Sequence, residues 1–88
     1  VSQNYPNPFN PSTSFYIDMP ESGNLSVKIF DVSGRMVKEL INTYVNSGRV
    51  QARWSGKDMF DMMSPTGIYF LQVETLTNYH VQKLALIK

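Results

Sequence analysis

His80 is the single histidine of the chain, and it carries most of what acid–base or metal chemistry the sequence offers. Catalytic triads and most zinc sites need a histidine with organised partners. His80 stands in a strand-like stretch between Tyr79 and Val81, with no acidic neighbour, and is expected to face solvent. Asp58 and Asp61 bracket Met59-Phe60, and Asp18 and Asp31 lie elsewhere. Two carboxylates three apart on a loop offer hard oxygens to calcium. A calcium loop carries more ligands at closer spacing, with a glycine for its sharp turn. Turn-forming aspartate is the better reading. A paired-carboxylate glycosidase site needs a cleft that so short a chain rarely encloses. Gly-x-Ser-x-Gly and glycine-rich phosphate loops are missing, and Ser33-Gly34-Arg35 reads as a hairpin turn. The expectation is therefore no catalytic residue, no metal ligand, no cofactor and no enzyme activity in this chain, whatever its parent protein does.

The elements around these residues are bounded by composition. The chain has 88 residues, enough for one small domain and not for two. Eight basic and seven acidic side chains leave a net charge of +1, without a Lys/Arg cluster, which argues against phosphate-driven binding of nucleic acid. With no cysteine, disulfide staples and thiolate metal sites are excluded. No apolar run approaches the roughly 20 residues of a membrane-spanning helix. Eleven aromatics and many β-branched residues supply a core, so stability must come from apolar packing.

Residue 1 is Val, and no charged-then-apolar leader opens the chain, which reads as a module cut from a longer polypeptide. Residues 1–12 form a Pro/Asn-rich entry linker, and residues 13–88 form the folded module. Pro6, Pro8 and Pro11 remove amide donors and fix φ, so this stretch is extended rather than helical. Tyr5 and Phe9 interrupt its polarity and are expected to pin it against the domain.

Beyond the linker a period of two dominates. Phe15, Ile17 and Met19 alternate with Tyr16 and Asp18 until Pro20 stops the strand. Leu25, Val27 and Ile29 form the next, with Phe30 and Val32 expected to be covered on the opposite face. Residues 35–44 fit both a helical spacing (Val37, Leu40, Ile41, Tyr44) and a strand (Met36, Lys38, Leu40); a short uncapped helix is marginal, so the strand is favoured. Val50, Ala52 and Trp54 mark another strand, with Trp54 the candidate buried tryptophan. Residues 55–66 form a loop, Ile68 to Val73 an almost continuous apolar run, and Tyr79 to Lys88 a last strand in which Val81, Ala85 and Ile87 oppose Leu84 and Leu86. Six or seven short strands with turns between them predict an all-β, immunoglobulin-like antiparallel sandwich. Met59-Phe60-Asp61-Met62-Met63 is the oddest stretch. It either folds over the core or displays an adaptable contact surface, and the covering role is expected because monomers rarely expose such patches.

Five segments then fall into a known order. Tyr5-Pro6-Asn7-Pro8-Phe9-Asn10-Pro11-Ser12-Thr13 resembles the Y-P-N-P-F-N-P-x-T opening of the C-terminal sorting domains of the type IX (Por) secretion system, and of related immunoglobulin-like modules such as that of the flagellar hook-assembly scaffolding protein. Leu25 to Arg35, with Asp31, Gly34 and Arg35, resembles V-x-L-x-I-Y-D-x-x-G-R. Gly48 to Asp58, with Trp54, Gly56 and Asp58, resembles G-x-x-x-x-x-W-x-G-x-D. Gly67-Ile68-Tyr69-Phe70 resembles G-I-Y-F, and Lys83 to Lys88 resembles K-x-x-L-x-K. Each piece is weak alone; five in order are specific. The chain departs from the pattern after Asp58, where the family is usually polar and rich in Asn and Gly.

The resemblance implies a non-catalytic module at the end of a larger secreted protein, often a glycanase or protease. It implies export through the type IX translocon, then attachment of the cargo to the outer cell surface. Carried across, the sorting signal is Lys83, Leu84, Leu86 and Lys88, while Pro6, Asn7, Pro8, Phe9, Asp31, Gly34, Arg35, Trp54, Gly56, Asp58, Gly67 and Tyr69 are structural. The expected partners are translocon components and a covalently linked cargo domain, with no nucleic acid and no transmembrane segment. A last strand at a sheet edge offers a partner a row of backbone groups. The alternative is an accessory immunoglobulin-like spacer or carbohydrate binder, with Tyr16, Tyr44 or Tyr79 stacking on sugars.

Overall fold

Alternation along Thr13–Met19 buries Phe15, Ile17 and Met19 on one face of the first strand, β1, and leaves Tyr16 and Asp18 exposed on the other. This computed structural model describes residues 12–87. The expected docking of Tyr5 and Phe9, the motif positions Pro6, Asn7, Pro8 and Phe9, and Lys88 all lie outside the described residues.

Five further strands follow: β2 (Gly23–Asp31), β3 (Met36–Val45), β4 (Gly48–Trp54), β5 (Gly67–Glu74) and β6 (Tyr79–Leu86). They form two antiparallel sheets, β1-β4 and β3-β2-β5-β6. The all-β, immunoglobulin-like expectation holds. The inner faces carry the core. β1 and β4 contribute Phe15, Ile17, Met19, Ala52 and Trp54. The larger sheet contributes Leu25, Val27 and Ile29 from β2, Tyr69, Leu71 and Val73 from β5, and Leu84 and Leu86 from β6. No helix among the described residues is long and apolar enough to cross a membrane.

β3 explains the double reading of residues 35–44. Its pairing with β2 slips twice, because Val27–Lys28 face Ile41 and Glu39, and Ile29–Phe30 face Lys38 and Met36. Leu40 and Val37 are the extra residues of two bulges, and each bulge turns the following side chains over. Val37, Leu40, Ile41 and Val45 all pack partly against the core as a result, at spacings that mimic a helix. At Asn46-Ser47 the chain leaves one sheet for the other, held by the Ser47 amide donating to Ser22 Oγ at 3.0 Å.

One expectation about β2 fails. Val32 lies in the turn after the strand and is exposed, while Phe30 is only half-buried. The strand ends at Asp31 because that side chain captures the next amides, so no second cover forms over its end.

Candidate functional site

Four of the five sequence motifs meet at one end of the sandwich. The β2–β3 turn begins at Asp31, whose Oδ1 accepts hydrogen bonds from the Ser33 amide (2.9 Å), Ser33 Oγ (2.7 Å) and the Arg35 amide (3.0 Å). Its Oδ2 accepts from Arg35 Nε at 3.2 Å. Gly34 closes the turn at φ 88°, a conformation that costs a residue with a Cβ about 1–2 kcal/mol. The Ser33 hydroxyl holds the Asp31 carboxyl below its ordinary range; desolvation opposes that shift, and the Arg35 and Ser33 amides and the Arg35 charge add to it. Here the aspartate is a turn organiser.

Trp54 sits in the core beside this turn. Its Nε1 donates to the Lys57 carbonyl at 2.9 Å, and its ring meets Tyr69 edge-on, 5.1 Å between centroids. Gly56 follows at φ 81°, buried, and its carbonyl accepts from the Ser64 amide at 2.8 Å. Tyr69, near the start of β5, donates its hydroxyl to the Pro65 carbonyl four residues upstream. This is the tyrosine corner of immunoglobulin-like sandwiches. Burial raises its phenol above the usual value; the Ser64 hydroxyl opposes that shift, and the Asp31 charge adds to it. The G-I-Y-F motif placed Tyr69 in the sequence, but the hydroxyl-to-loop bond is a pairing between elements that no local pattern shows.

Across β5 the same end receives the last strand. Tyr69 pairs with Asp31 on one side and with Leu84 on the other, and Gly67 pairs with Leu86. The chain also enters here, since Thr13 pairs with Trp54. Of the terminal motif, Leu84 and Leu86 point into the core, 0% and 1% exposed. Lys83, opposite Phe70, faces outward with Val81 and Ile87. A partner can touch Lys83 on the folded domain, and it cannot touch the two leucines. β6 is the outer strand of its sheet among the described residues, and Gln82 and Ala85 along it each have an interaction partner.

The Met59–Met63 stretch does not cover the core. Met59, Phe60, Met62 and Met63 are exposed, Phe60 by 77%. The loop's own hydrogen bonds hold them outward. Asp58 Oδ1 accepts from the Phe60 amide (2.9 Å) and the Met62 amide (3.0 Å), and the Asp58 amide donates to the Met62 carbonyl at 2.8 Å. Lys57 bridges to Met63, and the Met59 amide donates to the Val37 carbonyl of β3 at 2.9 Å. Asp58 and Asp61 are turn residues, with Asp61 at φ 64°.

His80 is exposed at the far end, on the rim of a cavity of about 280 Å³ between the β1–β2 and β5–β6 loops. Tyr16, Tyr44 and Tyr79 are exposed too, but they are not brought together: Tyr16 lies on the small sheet, under the Arg49 guanidinium at 5.3 Å, and Tyr44 and Tyr79 lie on opposite outer strands of the large one.

Comparison with known proteins agrees with this arrangement. The family model for the secretion system C-terminal sorting domain matches residues 3–88. A crystal structure of dimeric latent PorU from Porphyromonas gingivalis is similar over 97% of this chain and 9% of its own, at TM-score 0.77 and 18% identity. PorZ, described as a surface component of the type IX secretion system of the same organism, is similar over 98% of this chain and 11% of its own, at TM-score 0.69 and 19% identity. FlgD from P. aeruginosa is similar over 84% of this chain and 60% of its own, at TM-score 0.65 and 25% identity. The chain thus spans about a tenth of the two P. gingivalis proteins, and those likenesses show the fold. No curated protein sequence matches it.

Proposed function

This chain belongs to the secretion system C-terminal sorting domain family, and from that premise we propose that it sorts a larger cargo protein by presenting the outward face of β6 at the end where its motifs meet. The sorting role, and export by type IX secretion to the cell surface or extracellular space, follow from the family. A sorting domain is non-catalytic in itself. The finer reading concerns cargo, partner and residues. The cargo is a covalently linked upstream domain, a glycanase or protease, attached to the outer surface after export. The partner is a component of the translocon.

The observation that carries the residue assignment is the split of the terminal motif. Leu84 and Leu86 fix the strand from inside, and Lys83 stands outside on that fixed strand. A cation held on a rigid element gives a partner a charge to recognise at low entropic cost. Lys88 extends the same signal in this reading. The turn at Asp31 and the Trp54–Tyr69 contact act as positioning residues, because β5 hands their geometry on to β6.

The test is a fusion of residues 1–88 to a periplasmic reporter in a bacterium with an active type IX system. The reporter is expected outside the cell with the intact domain, and in the periplasm when residues 84–88 are removed or when Lys83 becomes Ala or Glu. Retention in the periplasm with and without the last residues overturns the sorting assignment for this chain. Normal export of both Lys83 variants moves recognition off β6.

A further inference from the structure

The Met59–Met63 loop is built to hold apolar side chains in water, and this reading is independent of the sorting role. Every turn of its backbone is tied: Asp58 accepts from the amides of Phe60 and Met62, the Asp61 amide donates to the Asp58 carbonyl at 3.0 Å, and the Ser64 amide donates to Gly56. Asp61 adopts φ 64°, a left-handed turn conformation that aspartate tolerates better than most residues with a side chain.

Beside the loop runs an open groove of about 560 Å³, between the β2–β3 turn and residues 58–69. Val32, Met36, Met59 and Ile68 supply apolar lining, and Phe60 itself stands on its border, so two copies meeting here bring each Phe60 to the other's groove. Two charges flank this region. Arg35 bonds Asp31 through Nε, yet its side chain is 84% exposed. Asp61 reaches Lys57 only at 3.7 Å and is 82% exposed. Apolar projection and apolar groove, anion and cation, are thus present on one end of one molecule. A surface carrying both halves of a contact is self-complementary, which is what a two-fold symmetric interface requires.

We propose that this end is an interface between two copies of the chain, each inserting Phe60 into the groove of the other with Asp61 against the partner's guanidinium. The exposed apolar side chains of Met36, Met59, Phe60, Met62, Met63 and Val32 offer roughly 600 Å² per copy, or about 1,200 Å² in a pair, at the lower bound of specific interfaces. Such an area gives a reversible dimer, not an obligate one. Asp61 at the apex also disfavours a lipid occupant, because a carboxylate among the apolar groups opposes insertion.

The test is sedimentation equilibrium of the 88-residue chain from about 1 µM to about 0.5 mM, the range in which an interface of this size dissociates. A monomer–dimer equilibrium is expected. Phe60→Ser is expected to weaken it at least tenfold, the least a central aromatic contributes. Asp61→Asn, which keeps a side chain tolerant of positive φ, is expected to weaken it less and to abolish its salt dependence. Circular dichroism melts of both variants should match the parent, since both positions are exposed. A chain monomeric throughout the range overturns the proposal, whether or not it sediments with anionic lipid vesicles. A dimer of unchanged affinity in Phe60→Ser overturns it equally.

Discussion

Replacing Leu86 by alanine separates the two jobs assigned to the terminal motif. The side chain is 1% exposed, and its cross-strand partner is Gly67, which has no side chain to relax into the space left behind. Leucine-to-alanine changes in cores cost about 2–5 kcal/mol, more where the site cannot collapse, so about 3–4 kcal/mol is expected here. A domain of this length is stable by roughly 4–13 kcal/mol, so the loss is a large fraction of the whole. At about 4–8 °C per kcal/mol, the melting temperature falls by roughly 12–30 °C. Lys83→Ala, on the same strand but exposed, stays within about 0.5 kcal/mol of the parent. Thermal melts followed by circular dichroism measure both. Reporter export is then compared at a temperature low enough for Leu86→Ala to be folded. Leu86→Ala is expected to recover export there, and Lys83→Ala is not. A melting temperature lowered by less than about 5 °C in Leu86→Ala refutes its packing role. Export lost in folded Leu86→Ala while Lys83→Ala sorts normally refutes the division between buried anchor and exposed signal.

The depressed carboxyl of Asp31 makes its turn sensitive to acid. A folded-state pKa below the ordinary 3.8 contributes stability that is present above that value and is lost as pH falls through the lower folded value. The difference in urea midpoint between the parent and Asp31→Asn should therefore be constant near neutrality and shrink below about pH 4; a difference that stays flat to about pH 2 contradicts the linkage. Trp54→Phe removes the 2.9 Å bond to the Lys57 carbonyl and some of the edge contact with Tyr69. It should cost about 1–3 kcal/mol in urea denaturation, and a loss under about 0.5 kcal/mol would show that the bond to the loop contributes nothing.

Most strands were legible in the sequence because one face of each is buried and period two survives intact. β3 is the exception, and its reason is physical. Two bulges, at Leu40 and Val37, shift the alternation within ten residues and leave a spacing that a helix also satisfies. The division into two sheets was not legible either, because the switch at Asn46-Ser47 looks like any hairpin turn. At the site, the ordered motifs identified the family, and the alternation of Leu84 and Leu86 against Val81, Ala85 and Ile87 was visible. Which side faced the core was not, since both carry apolar residues. Met59 to Met63 misled for a related reason: apolar composition predicts burial, and the bonds from Asp58 that turn the loop outward depend on where Gly56 and Val37 lie in space.

The arrangement of β1 has a mechanical consequence. It pairs with β4 in the two-stranded sheet, and Thr13 lies at the same end of the sandwich as Leu86. Tension arriving from upstream at Thr13, resisted at the tip of β6, pulls across the β1–β4 ladder instead of along it. The Thr13–Trp54 pair and the Gly67–Leu86 pair are the first of their ladders to carry that load, so the strand bearing Lys83 shares the force with β1.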